Sequence, residues 1–138
     1  MWNANGKGMA AKGVNSKIDK TMLTSEISVE VQAAEENSLL WLYRTFAAAR
    51  NSSPALADGW LEYDSANTDG RITSWYMHAN TGDKVCLVIH NFSGATISVD
   101  RSAHGNNLSN ILVSNGAVSV SGSVVTMPAY SSVVFALN

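Results

Sequence analysis

From Trp60 onward the chain breaks into short runs of β-forming residues separated by turn residues, with no helical pattern between them. The runs are Trp60 to Tyr63, Arg71 to Ala79, Lys84 to Phe92, Thr96 to Val99, Ile111 to Ser114, Ala117 to Val120, Val124 to Met127 and Ser132 to Leu137. Strands at roughly 8–12-residue spacing with no intervening helix leave no crossover for a parallel sheet. The pattern predicts a mainly β fold, an antiparallel Greek-key β-sandwich of about eight strands. Asp69-Gly70, Thr81-Gly82-Asp83, Ser93-Gly94 and Ser121-Gly122-Ser123 punctuate the runs. Asn115-Gly116 predicts a hairpin between its flanking runs, since both residue types tolerate positive φ. Val85-Cys86-Leu87-Val88-Ile89 is apolar at every position, which marks it as a central strand covered on both faces.

Upstream the texture differs. Through Ala34 there are four Lys against three acids, with little apolar content; afterwards there are five basic and eight acidic residues. Ile27, Val29 and Val31 alternate as a short extended segment would. From Asn37 the period becomes helical, with Leu39, Leu42, Tyr43 and Phe46 at i, i+3, i+4 and i+7, and Asn37 or Ser38 able to cap the first turn. Pro54 predicts a stop just beyond Asn51. Leu40, Trp41, Ala47 and Ala48 widen the apolar surface beyond one stripe, so this helix requires more than one neighbour.

Composition narrows the function classes. The 138 residues are 46% hydrophobic and 14% charged, with net charge −2, which suits one ordinary domain. No basic cluster offers a nucleic-acid surface. No run approaches the ~18 apolar residues of a membrane span, and Met1 to Asn5 lacks the regions of a signal peptide. The single cysteine, Cys86, lies in an apolar run, where a buried, inert thiol is expected. No residue spacing implies a metal or other cofactor: His78, His90 and His104 have no spaced partner.

Enzymatic motifs are absent. Gly6-Lys7-Gly8 lacks the strand, helix and Lys-Ser/Thr ending of a phosphate loop. Asn51-Ser52-Ser53, Asn91-Phe92-Ser93 and Asn107-Leu108-Ser109 match the glycosylation pattern, which arises by chance in a Ser- and Asn-rich chain. Asp58, Glu62, Asp64 and Asp69 form the local acid cluster of the β region, and their flanking of turns assigns them to a solvated surface. Trp60, Tyr63, Trp75 and Tyr76 could present an aromatic platform to a sugar ring, against a competing assignment to the core or a domain interface. Leu40, Trp41 and Ala47 could equally pair with a second copy of the chain.

Several motifs in order resemble one family. Asn37-Ser38-Leu39-Leu40-Trp41-Leu42-Tyr43-Arg44, continuing through Ala49-Arg50-Asn51 to Pro54-Ala55-Leu56 and Gly59, resembles the last barrel helix and exit of α-amylase-type enzymes, glycoside hydrolase family 13. Ala49 departs from the usual Leu. Val29-Glu30-Val31-Gln32 and Met1-Trp2-Asn3 are similar to stretches before that helix. Lys84 to Ser93 resembles an apolar strand ending in Asn-Phe-Ser, and Met127 to Val134 the closing Pro-x-Tyr-Ser strand. The resemblance implies that residues 1–56 are the incomplete end of a catalytic barrel and residues 57–138 a C-terminal β-sandwich domain. It implies a parent, secreted or periplasmic, that cleaves α-glucosidic bonds by the retaining two-carboxylate route. No position matches the family's catalytic carboxylates or calcium ligands, so this part is expected to be non-catalytic and free of cofactors. Its expected partners are the catalytic barrel, through Leu40, Trp41 and Ala47, and α-glucan as the alternative.

Overall fold

The computed structural model describes residues 28–65, 67–102 and 107–137. Among these residues eight strands follow three α-helices: α1 (Val29–Ala34), α2 (Leu39–Ser52) and α3 (Pro54–Asp58), then β1 (Trp60–Tyr63), β2 (Ile72–His78), β3 (Val85–Asn91), β4 (Ile97–Asp100), β5 (Ile111–Asn115), β6 (Ser119–Ser121), β7 (Val124–Met127) and β8 (Ser132–Ala136). The strands form one sheet of order β1-β2-β3-β8-β5 and another of order β4-β7-β6, with antiparallel pairing throughout. The chain changes sheet between β3 and β4, β4 and β5, β5 and β6, and β7 and β8. β3 is the middle strand of the larger sheet, as its unbroken apolar run predicts.

Because side chains alternate across a strand, β3 feeds two cores. Leu87 and Ile89 point inward and join Ile72, Val133 and Phe135 of their own sheet with Ile97, Val125 and Met127 of the other. Leu108, carried by the short 3₁₀ turn at Asn107–Ser109, completes this layer. Cys86 and Val88 point outward and meet Val113 and Val134, with Ala49 and Phe46 of α2 and Ala55 and Leu56 of α3 laid over them. The Cys86 thiol is buried, 3.4 Å from Ser53 Oγ.

The helix-to-sheet junction is tight. Pro54 does more than end α2: it opens α3 from its first turn, where its missing N–H costs nothing. Arg50 Nη2 donates to the Ala57 carbonyl at 2.8 Å, tying the end of α2 to α3. A Cβ at Gly59 would lie 2.2 Å from the His78 carbonyl oxygen and 2.3 Å from that of Ala55, so only glycine lets the chain turn from α3 into β1.

Two compact units divide within α2, one ending at Thr45 and one running from Phe46 to Asn138. In the first, the expected extended segment is helical. Ser28 Oγ accepts from the Val31 N–H at 3.2 Å and caps α1, which outweighs the alternation of Val29 and Val31; Ile27 lies outside the described residues. Asn37 turns the chain with φ 66, and Ser38 caps α2 by accepting from the Trp41 N–H at 3.1 Å. Among the described residues there are thus three α-helices where the sequence predicts one. Leu39 and Tyr43, read as part of the core stripe, are exposed.

The Asn115-Gly116 hairpin does not form. β5 pairs with β8 and β6 with β7, so this turn, with Gly116 at φ 87, passes from one sheet to the other. The hairpin is β6–β7, closed by Gly122-Ser123 with Gly122 at φ 59, where a two-residue II′ loop takes glycine.

The surface assignment of Asp64 is also wrong. Asp64, just past β1, and Arg101, just past β4, are both buried and pair through Asp64 Oδ2 and Arg101 Nη1. Ser74 of β2 donates to the same carboxylate oxygen at 2.6 Å and accepts from Arg101 Nη2 at 2.9 Å. The Arg101 N–H also reaches the Ser123 carbonyl at 2.8 Å, so the cluster joins the edge of one sheet to the β6–β7 loop of the other. Removing one partner of such a pair strands the other in low dielectric. Arg101→Met is expected to lower unfolding free energy by about 3–5 kcal/mol in urea titrations. Replacing the pair together, Asp64→Leu with Arg101→Met, should recover much of that loss.

Candidate functional site

The four residues proposed as one aromatic platform fall on opposite sides of the larger sheet. Register sets Trp60 against His78, Glu62 against Tyr76, and Tyr63 against Trp75. Trp60, Tyr76 and His78 therefore share the inner side, while Tyr63 and Trp75 share the outer side. Tyr76 packs against the inner core, and burial followed by the nearby Asp64 carboxylate pushes its phenol above the ordinary value. It is partly buried against that core and shares no face with Tyr63 or Trp75.

On the outer side the rings form a row. Trp75 meets His90 with centroids 5.1 Å apart and planes tilted by 36°, and His90 meets Phe92 at 5.7 Å and 34°. His90 Nδ1 lies 2.6 Å from Ser132 Oγ of the adjoining strand. Tyr63 and Phe92 are 69% and 65% exposed, so this face is open along β1 and beyond the end of β3, while α2 and α3 cover its middle over Cys86 and Val88. Leu61, on the same side of β1 as Tyr63, extends the open patch. Tilted rings leave steps and gaps that suit interdigitating side chains.

At the β1 margin of the inner side, the Trp60 indole stacks on the His78 imidazole with centroids 4.3 Å apart and planes 13° from parallel. His78 Nε2 lies 2.6 Å from Glu62 Oε2, though without the angle of a hydrogen bond. The sequence offers His78 and His90 only as metal ligands without a spaced partner and Glu62 only as a surface acid, and it assigns Phe92 and Ser132 no site role. The period of two along each strand was the available signal, because it forbids adjacent Trp75 and Tyr76 from facing the same way.

The other candidates resolve simply. Leu40 and Trp41 of α2 are half-buried, and Ala47 is exposed. Asp69 forms a bidentate pair with Arg71, whose guanidinium holds the Asp69 carboxyl down to about 2. Among the described residues no three His, Cys, Asp or Glu side chains cluster to hold a metal ion, and His104 lies outside them. Asn91 is buried, its Nδ2 donating to the carbonyls of Ala95 and Pro128 at 2.8 Å and its Oδ1 accepting from the Ser93 N–H at 2.9 Å. The Asn-Phe-Ser motif is thus a structural knot in the folded chain, its amide nitrogen committed to backbone carbonyls.

Residues 72–134 match the family model described as the α-amylase SusG C-terminal domain. Over 89 residues the chain is 33% identical to α-amylase SusG of Bacteroides thetaiotaomicron, a match covering 60% of this chain and 13% of that protein. Amy13B of Eubacterium rectale superposes with a TM-score of 0.70 at 22% identity, over 80% of this chain and 22% of that one. Isomaltulose synthase from Klebsiella sp. LX3 gives 0.66 at 19% identity, over 81% and 20%. The two structural likenesses establish a shared fold. This chain thus corresponds to a small part of each longer relative.

Burial holds the His90 imidazole below its ordinary value of 6.5. The unfolded chain then takes up a proton that the folded chain resists, so stability is full above about pH 6.5 and falls as pH drops through the folded value. The urea midpoint should be flat from pH 8 to pH 7 and decline below about pH 6.5; His90→Gln should reduce that decline.

Proposed function

We propose that this chain, which carries the C-terminal domain of an α-amylase-family protein, is the non-catalytic end of a glycoside hydrolase acting on starch or maltooligosaccharides. Its role is to pack against the catalytic barrel and stabilise it. The observation that carries this reading is the half-covered outer face of the larger sheet. α2 and α3 cover the face over Cys86 and Val88, while Leu61 and Tyr63 along β1 and Phe92 just past β3 stay exposed at its margins. Fully covering a large apolar side chain is worth about 1.5–3 kcal/mol, so a neighbouring domain seated there would be held firmly.

The acids support a non-catalytic role. A retaining glycosidase needs two carboxyls free to address one bond, roughly 5–5.5 Å apart. Asp64 is committed to Arg101 and Asp69 to Arg71, while Glu62 lies against His78. The chemistry is therefore assigned to the barrel of the parent enzyme.

The purified 138-residue chain should release no reducing ends from starch. Phe92→Asp should leave its own melting temperature nearly unchanged, within the effect of about 0.5 kcal/mol expected at an exposed site. In the complete parent enzyme the same substitution should lower the melting temperature by several degrees. An equal effect in both, or starch hydrolysis by the chain alone, would contradict the reading.

A further inference from the structure

The outer row fits a protein neighbour, but the Trp60 margin has different chemistry. The indole is held from beneath by a nearly parallel imidazole, which uses one ring face and limits its rotation. Trp60 nevertheless remains 51% exposed. Glu62, two residues along the same strand and on the same side, places an exposed carboxylate next to that imidazole. Among the described strands β1 is the edge of the larger sheet, hydrogen-bonded to β2, so its other edge carries backbone polar groups as well.

A flat, supported, open aromatic face beside an acceptor and a polar strand edge matches a pyranose ring. The sugar sets its C–H face on the indole, and its hydroxyls donate to the carboxylate and bond to the free strand edge. Holding the ring in place beforehand spares the site much of the ordering cost of binding. The neighbouring group is anionic, which favours a neutral polyol over a phosphorylated or carboxylated ligand.

We infer that Trp60, His78 and Glu62 form a stacking site for a neutral oligosaccharide, specifically an α-1,4-glucan chain. Trp60 is the platform, His78 its support and Glu62 the hydroxyl acceptor. The choice of α-glucan rests on the function proposed above; the stacking geometry does not. The site lies on the opposite side of the sheet from Trp75 and Phe92, so sugar could bind while the outer face is covered.

Calorimetric titration of the 138-residue chain with maltoheptaose, and in parallel with cellohexaose, tests the inference. Maltoheptaose should bind saturably. Trp60→Ala should weaken it by about tenfold or more, the loss expected for one aromatic contact area. Trp60→Phe should recover part of the affinity, Glu62→Gln should weaken it severalfold, and Tyr43→Ala, an exposed aromatic on α2, should leave it unchanged. Thermal unfolding of each variant checks that the fold is kept. Absence of binding to either sugar, or maltoheptaose binding indifferent to Trp60→Ala, overturns the stacking site and leaves the packing role to the Phe92 experiment. Trp60-dependent binding of cellohexaose alone overturns the assignment of α-glucan, and with it the substrate class proposed for the parent.

Discussion

A strand that is apolar on both sides must be covered on both sides, and β3 imposes that requirement on the whole molecule. Its inward residues, Leu87 and Ile89, call for a second sheet, which β4, β7 and β6 supply. Its outward residues, Cys86 and Val88, call for something else. Small side chains answer: Ala49 and Ala55 bring the end of α2 and the whole of α3 close to the sheet, with Phe46 and Leu56 filling the gaps. Coverage stops there. Among the described residues nothing covers the same face toward Phe92, so it is open to a neighbour.

Much of this was legible in advance because turn chemistry and alternation are local properties. All eight strands are found close to where the residues place them, and the double-sided run proved central. The failures share a cause in non-local pairing. Asn115-Gly116 carries a strong hairpin signal, yet β5 is claimed by β8, and local turn preference yields to the sheet register. The extended reading of α1 fails because three alternating residues, Ile27, Val29 and Val31, are a short sample, while one serine in the right place closes a helical turn.

The Asp64–Arg101 pair shows what a polarity count misses. Arg101 keeps the phase of Ile97 and Val99, both packed on the inner core, and Asp64 keeps that of Trp60 and Glu62. Phase was a readable clue that both side chains turn inward; the identity of the partner 37 positions away was not. The candidate site follows the same logic. Four aromatics read as one platform separate into two surfaces once the pleat is imposed, one with tilted rings suited to a neighbour and one with a supported ring suited to a flat ligand.

The glycine between α3 and β1 has a consequence for where such a module can be cut. With two carbonyl oxygens where a methyl group would stand, the passage from Ala55 to His78 works as a weld and not as a hinge. A β-sandwich attached in this way cannot swing like a bead on a string. A cut made at this passage would part the sandwich from the helical turn that seals it, whereas a cut upstream of α3 would leave the seal whole.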